Sequence, residues 1–399
     1  MPDVTLRQWA DRLSPFLAEV EDEVAELTLQ LLAIPTPNPP GENYPAVVDL
    51  LERRFRSLGM ATKQVQTPPA LLLRHRISPK RPRPSLLGRW GTAAGPSLHF
   101  YGHYDVAPAQ TPELWTPVLA GGMMVGRGAA DMKGGLACIW GALRLLQRVG
   151  LAPQRAVSLS CTPDGESGGQ TGLGHLVASG ELQREEIAFA VSPEPTGGGI
   201  WHAAEGAFVW EAEVWSRGAH LDAQAVAEML QVGQPAALAD GRLARPPDGS
   251  QELSPALERM VFTVERRSIA EGGLDAARQE VEGRAARLRA EGVDLRLRPL
   301  LEAAPFRTPP EHPGVRVLEQ ALQAASGSRP QLQASPGPLE GRYLAGVGAP
   351  TVASGPGRLS VVHSPAECVA VGELGTQTLA FALFLLRFPW TDPARRLLH

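Results

Sequence analysis

Five side chains in this sequence have the types and neighbours that metal-assisted hydrolysis needs. His103 stands in "GHYDV", Asp131 in "GRGAADMKGG", Glu166 in "PDGESGG", Glu194 in "SPEPTGG" and His363 in "VVHSPAE". Each follows a β-prone run and sits beside glycines or prolines that shape a loop. Two imidazoles and three carboxylates make a mixed nitrogen and oxygen set that suits two zinc ions or a similar pair. A carboxylate shared by two ions holds them roughly 3.5–4 Å apart, the arrangement used in two-metal hydrolysis. Asp105, two residues past His103, is expected to hydrogen-bond the back of that imidazole and fix its tautomer. One acid or histidine at a strand end is usually only a polar loop residue. The reading rests on the five together.

These residues need strand ends that converge. "PSLHFYGHYDV", "RAVSLSC" and "EIAFAVSP" read as buried strands, and "MKGGLACIWGALRLLQRVG" as a helix with small residues on one face. Strands alternating with helices at this spacing imply an α/β fold, a mostly parallel sheet covered by helices. Two amphipathic helical patterns open the chain and end at the loop "IPTPNPPGEN". Near residue 207 the character changes to a small α+β unit: "AFVWEAEVWSRG", a short helix "AQAVAEML", "MVFTVERRS", the helix "LDAARQEVEGRAARLRAEG" and "VDLRLRPLL". The expected division is residues 1–206 plus 302–399 as a catalytic domain, with 207–301 inserted. The Arg-rich helix reads as a solvated face with charge pairs at helical spacing. "FALFLLRF" near the end reads as core.

Composition narrows the class. The 399 residues carry a net charge of −4, with 43% hydrophobic and 20% charged residues. No basic surface calls for nucleic acid. No window is apolar for long enough to span a bilayer, so no membrane association is expected. Cys138, Cys161 and Cys368 have neither zinc-finger nor redox spacing, and the N-terminal stretch has no signal-peptide pattern, which together imply the cytoplasm. Neither a P-loop nor a serine-hydrolase elbow is present.

The blocks "LLAIPTPNPPGEN", "HFYGHYDVAP", "LWTPVLAGGMMVGRGAADMKGGLA", "TPDGESGGQTGLGHL", "SPEPTGGGIWHAAEG", "VERRS" and "SGPGRLSVVHSPAE" stand in one order along the chain. In that order the sequence resembles the co-catalytic zinc aminoacylases and carboxypeptidases, including acetylornithine deacetylase, succinyl-diaminopimelate desuccinylase and carboxypeptidase G. The resemblance implies that Asp131 bridges two divalent ions, zinc first, with cobalt or manganese as alternatives. His103 and Glu194 would complete one site, and Glu166 and His363 the other. It implies a strained peptide after Asp131, Arg342 as the arginine holding a substrate carboxylate, and Gly355 in "SGPG" lining the pocket. Arg267 in "ERRS" falls in another substrate-binding motif. His220 in "SRGAH" resembles a histidine that reaches a neighbouring subunit's active site and polarises the scissile carbonyl. The insertion would then be a lid and dimerisation domain, making a homodimer. The implied substrate is an N-acyl amino acid or a small peptide.

The resemblance has a gap at its chemical centre. The related pattern is Asp-Glu-Glu, whose first glutamate is the general base; this chain has Asp164, Gly165 and Glu166. Glu205 stands where an arginine is usual, and "LDAQAVAEML" replaces a Gly-x-Asn-Ala segment. Two readings stay open: a slow two-metal amide hydrolase with another proton shuttle, or a catalytically impaired relative that binds metal and ligand. A positioned base contributes about 10²–10⁴-fold.

Overall fold

A computed structural model of the chain describes residues 5–93, 95–217, 257–270 and 272–388. His220 and the short helix expected at "AQAVAEML" lie outside the described residues. The strands are β1 (Ala61–Gln66), β2 (Pro84–Trp90), β3 (Ser97–His103), β4 (Val118–Ala120), β5 (Met123–Val125), β6 (Val157–Thr162), β7 (Ile187–Ser192), β8 (Ile200–Ala204), β9 (Gly206–Arg217), β10 (Leu257–Ser268), β11 (Asp294–Ala303), β12 (Phe306–Arg307), β13 (Leu332–Ser335), β14 (Thr351–Ala353) and β15 (Cys368–Ala370). The helices are α1 (Leu6–Leu32), α2 (Tyr44–Arg56), α3 (Pro69–Arg74), α4 (Gly134–Arg148), α5 (Leu173–Ala178), α6 (Gly273–Ala290), α7 (Pro313–Ser326), α8 (Arg342–Gly346) and α9 (Val371–Arg387).

The chain divides into two compact units. One holds residues 1–203, 307–334 and 343–399; the other holds 204–306 and 335–342. The large sheet runs β1-β2-β6-β3-β7-β14-β8-β12, with β13 beside β8. Its centre, β6-β3-β7-β14, is parallel, and β1, β2 and β8 pair antiparallel at the flanks. A parallel centre must be covered on both faces, and every residue of β3 is buried. Its side chains alternate between two cores. Leu98 and Phe100 join the core shared by α1, α4, α7 and α9, whereas Tyr101 joins a second core with Leu173, Leu176 and Leu344. In α9, Phe381, Phe384 and Leu385 are fully buried, so the closing aromatic run is core, as its composition implied.

The N-terminus holds one helix, not two. Thr5 and Gln8 form a reciprocal capping box at the start of α1, and the helix continues through Pro15. Proline lacks the N–H that would bond the fourth residue back. Pro15 lies on the exposed face, where water can satisfy the released carbonyl.

In the second unit β9 lies between β10 and β11, both antiparallel to it. Phe208, Trp210, Ala212 and Val214 project from one face of β9. They pack with Val281, Ala285 and Leu288 of α6. That spacing gives α6 its single apolar stripe.

The small face of α4 has a specific use. A β-carbon on Gly135 would lie 2.4 Å from the Pro193 carbonyl oxygen, so only glycine lets the helix start approach the end of β7. Gly135→Ala is expected to cost about 1–3 kcal/mol through overpacking, seen as a lower urea midpoint at unchanged slope. Gly372→Ala, where added carbon meets nothing within 4 Å, serves as the unaffected control.

Candidate metal centre

Three parallel strands deliver the site. The register sets His103, the last residue of β3, opposite Thr162, the last residue of β6. Glu166 follows on the loop after β6, and Glu194 lies two residues past the end of β7. Carboxyl ends of adjacent parallel strands are where open α/β sheets place their ligands. Asp131 comes from the irregular turn before α4, and His363 from the loop that follows a short helical turn over Leu359–Val361. The peptide between Asp131 and Met132 is cis.

These five residues form two groups that share Asp131. His103, Asp131 and Glu194 offer ligand atoms all within 4.8 Å of one another, and so do Asp131, Glu166 and His363. Asp131 turns one oxygen toward each histidine. Its Oδ1 lies 3.3 Å from His103 Nε2 and its Oδ2 lies 3.4 Å from His363 Nε2. Oδ1 is buried without a geometrically acceptable hydrogen bond, so its nearness to His103 is not a directed bond. Glu166 approaches His363 Nε2 at 2.9 Å. An orphaned carboxylate oxygen between nitrogen and oxygen donors is what divalent ions such as zinc require, so the donor set fits the pair of ions. The groups differ in access: His103 and Glu194 are buried, whereas the His363 side chain is 50% exposed.

Asp105 stands behind the His103 ring, and its main chain makes the contact. The acceptor behind His103 Nδ1 is the main-chain oxygen of Asp105, at 3.0 Å. A carbonyl only accepts, so Nδ1 carries the proton in the neutral ring and Nε2 presents its lone pair toward Asp131. The Asp105 carboxylate instead grips the loop after β6. It accepts from the backbone N–H of Gly165 at 2.9 Å and of Glu166 at 3.1 Å, and from Asn38 Nδ2 at 2.8 Å. Burial is the main cause that pushes Asp105 up to about 6.

Gly165 sits tightly in this arrangement. A β-carbon there would lie 2.3 Å from Cγ of the His103 ring. The neighbouring Asp164 is fully engaged: Arg83 Nε donates to it at 2.8 Å, Tyr44 Oη at 3.0 Å, and Thr171 Oγ1 also donates. Asp164 is therefore no substitute base.

The remaining expected residues are dispersed. Gly355 donates to Thr196 Oγ1 at 3.1 Å, beside the loop that carries Glu194. Arg342 groups with the second unit rather than the catalytic segment expected from the sequence, because residues 335–342 pack with that unit. There its Nη1 donates to the Leu339 carbonyl at 3.1 Å. Arg267 is also in the second unit, bonded to Glu265 at 2.6 Å and to the Pro336 carbonyl at 2.8 Å. Glu205 lies in that unit as well. Sequence reasoning missed Asn38, Arg83, Arg127 and Glu367, all buried polar or charged residues that hold the site's loops. Arg127 and Glu367 stood inside quoted blocks, where a charge amid small residues was the available signal.

Residues 99–387 match Peptidase family M20/M25/M40, well over half of the chain. The chain belongs to this peptidase family. Its reaction class is hydrolysis of C–N amide bonds. A succinyl-diaminopimelate desuccinylase of Alkalilimnicola ehrlichii is 27% identical over 309 residues, 71% of this chain and 81% of that protein. Among solved structures, a di-peptidase of Saccharomyces cerevisiae superposes with a TM-score of 0.75 at 13% identity, covering 94% of this chain and 98% of the other. A dinuclear metal-binding M20 peptidase of Bacillus subtilis gives 0.60 at 16% identity, covering 92% and 98%. At these identities the two structures establish a shared fold. Among the described residues no helix is long and apolar enough to cross a membrane.

Two histidines on β3 show how the M20 site differs from core. Burial pushes His99 down to about 3, and it sits neutral between Ser158 and Ser160. Burial pulls His103 down too, but Asp131, Asp105 and Glu194 outweigh it and raise it well above 6.5. Hydrogen bonds to Asp131 and Glu166 push His363 up to about 10. Without metal, the surrounding carboxylates favour the protonated form of both imidazoles. Because both folded values are raised, their contribution to stability is full below the unfolded value and fades as pH rises through the folded ones. Ions that take these nitrogens must displace protons. Calorimetric zinc titrations at pH 7 in buffers of different ionisation enthalpy are expected to report proton release from both rings, with affinity rising with pH. Release independent of His363→Ala would contradict this assignment.

Proposed function

We propose that the chain is a two-metal hydrolase of N-acyl amino acids or small peptides that works slowly because position 165 carries no side chain. The observation that carries this reading is the shared Asp131, with one oxygen toward each histidine. His103, Asp131 and Glu194 would hold one divalent ion; Asp131, Glu166 and His363 would hold the other, with zinc first and cobalt or manganese as alternatives. Bound there, the pair would polarise an amide carbonyl and lower the pKa of water toward roughly 7. The chain's own residues orient this centre. The Asp105 carbonyl sets the His103 tautomer, and the Asp105 carboxylate holds the backbone before Glu166.

The relatives support the substrate class, since one is named a desuccinylase and another a di-peptidase. Arg342 is our candidate for a substrate carboxylate, Arg267 a second substrate-binding residue and Gly355 a pocket-lining backbone group. His220 is the candidate to polarise the carbonyl, which makes the second unit a lid and the chain a homodimer. The three dispersed cysteines support a cytoplasmic setting.

A specific observation also favours the second reading, a catalytically impaired member that binds metal and ligand. The loop closes on the His103 ring where a side chain at 165 would begin. The test is metal-dependent turnover of N-acetyl, N-succinyl and dipeptide substrates by the wild-type chain and by Gly165→Glu. Slow wild-type turnover is expected, about 10²–10⁴-fold below an enzyme with a positioned base. Gly165→Glu is expected to lose metal rather than gain rate, because its side chain displaces His103. A faster Gly165→Glu would sink the steric argument. A wild-type chain that holds two ions but turns over none of the panel would make the binding reading correct.

A further inference from the structure

The exposed ligand of the centre, His363, has support that the five-residue reading leaves out. Its backbone lies in the left-handed region, with φ 61°, which side chains adopt only when their surroundings require it. Its main-chain oxygen accepts from Gln110 Nε2 at 2.6 Å. Gln110 Oε1 accepts from Arg127 Nη2 at 2.6 Å. Arg127 Nη1 donates to Glu367 Oε2 in a fully buried ion pair. The other oxygen of Glu367 accepts three backbone N–H groups, from Gly128 at 2.8 Å, Ala130 at 3.3 Å and Asp131 at 3.3 Å. One hydrogen-bond chain therefore runs from the backbone of Asp131, through Glu367, Arg127 and Gln110, to the backbone of His363.

We infer that Gln110, Arg127 and Glu367 are positioning residues that set the spacing of Asp131 and His363 and so tune the ion site these two share with Glu166. They act through the main chain of the ligands and touch none of the ligand atoms. The geometry requires this arrangement at one site only. His103 and Glu194 are held by strand ends, and His103 has its own acceptor in the Asp105 carbonyl. His363 comes from a loop and is half exposed, so its approach to Asp131 depends on a hydrogen bond from outside. Gln110 is itself exposed, so its loss leaves the core intact.

This inference rests on the metal reading above, and the test separates the two. The metal-free full-length chain is titrated with cobalt(II), with absorbance and competition against a chromophoric chelator resolving the two binding steps. The wild-type chain is expected to bind two ions. Gln110→Ala is expected to weaken one step about tenfold, the lower end of the usual cost of removing an outer support, and to leave the other step and the urea midpoint unchanged. Gln110→Glu keeps an acceptor for Arg127 but removes the donor to His363, and is expected to weaken the same step. Glu367→Gln, which reaches the backbone of the shared Asp131, is expected to weaken both steps, with some loss of stability. Two wild-type-like steps in both Gln110 variants would overturn the inference and leave the metal reading standing. A tenfold loss in both steps together in the Gln110 variants would also overturn it, because the support would then not be specific to His363. A wild-type chain that binds no cobalt overturns the metal reading, and this inference with it.

Discussion

The structure turns on an excess of negative charge buried at the ends of three strands. Asp105, Asp131, Glu166 and Glu194 converge there, and two imidazoles face them. Carboxylates brought together away from water repel one another, and each loses hydration. The protein offsets this in two ways. Asp105 is hydrogen-bonded locally by two backbone N–H groups and an asparagine. Glu166 accepts the backbone N–H of Ala107 at 2.9 Å and Glu194 the hydroxyl of Ser192 at 3.4 Å; with Asp131, these acids also draw protons onto the histidines or cations into the space between. The raised values of His103 and His363 and the fit of the donor set to divalent ions are two expressions of that one electrostatic demand.

Two buried arginine–carboxylate pairs hold the loops that carry the acids. Arg83 with Asp164 anchors the loop after β6, and Arg127 with Glu367 anchors the turn before α4. Removing one partner of such a pair costs about 3–5 kcal/mol, since the other charge is left uncompensated. A hydrophobic pair could supply similar stability, but it could not also bind backbone. Glu367 spends an oxygen on three N–H groups, and Arg83 donates further to the carbonyls of Pro40, Gly41 and Arg81. Charge here fixes loop shape at a place where apolar side chains would leave backbone groups unpaired.

What the sequence made legible follows from range. His103, Glu166 and Glu194 could be found because a buried strand announces its own end through a switch from apolar residues to an acid or histidine beside glycine. The apolar spacing of α9 and the alternation in β9 are local in the same way. The opening patterns are one helix, because a proline breaks a helix only where the lost hydrogen bond cannot be replaced, and that depends on which face is wet. Arg342 was assigned to the wrong unit because the packing of residues 335–342 with 204–306 is a tertiary fact. The supports of the site were hidden for the same reason: Gln110 and His363 are 253 positions apart, and Arg127 and Glu367 are 240 apart. No periodicity connects them. For Asp105 the atoms could not be named from sequence, because spacing identifies a neighbour without saying whether its side chain or its carbonyl faces the ring.

Gly165 shows how tightly a bare backbone position can be built into a fold. In isolation, Asp-Gly-Glu looks like a single loss in an otherwise complete site. In three dimensions the backbone at 165 presses against the His103 ring, and its N–H is bound by Asp105. The same carboxylate binds the next N–H, so the position of Glu166 depends on the same contact. A side chain at 165 would have to move either the ring or the loop. Moving the ring removes a ligand nitrogen, and moving the loop releases Asp105 and shifts Glu166. The lack of a side chain at 165 and the closeness of the two segments are thus one structural fact. In this arrangement the five clustered acids and histidines stay close because position 165 is bare.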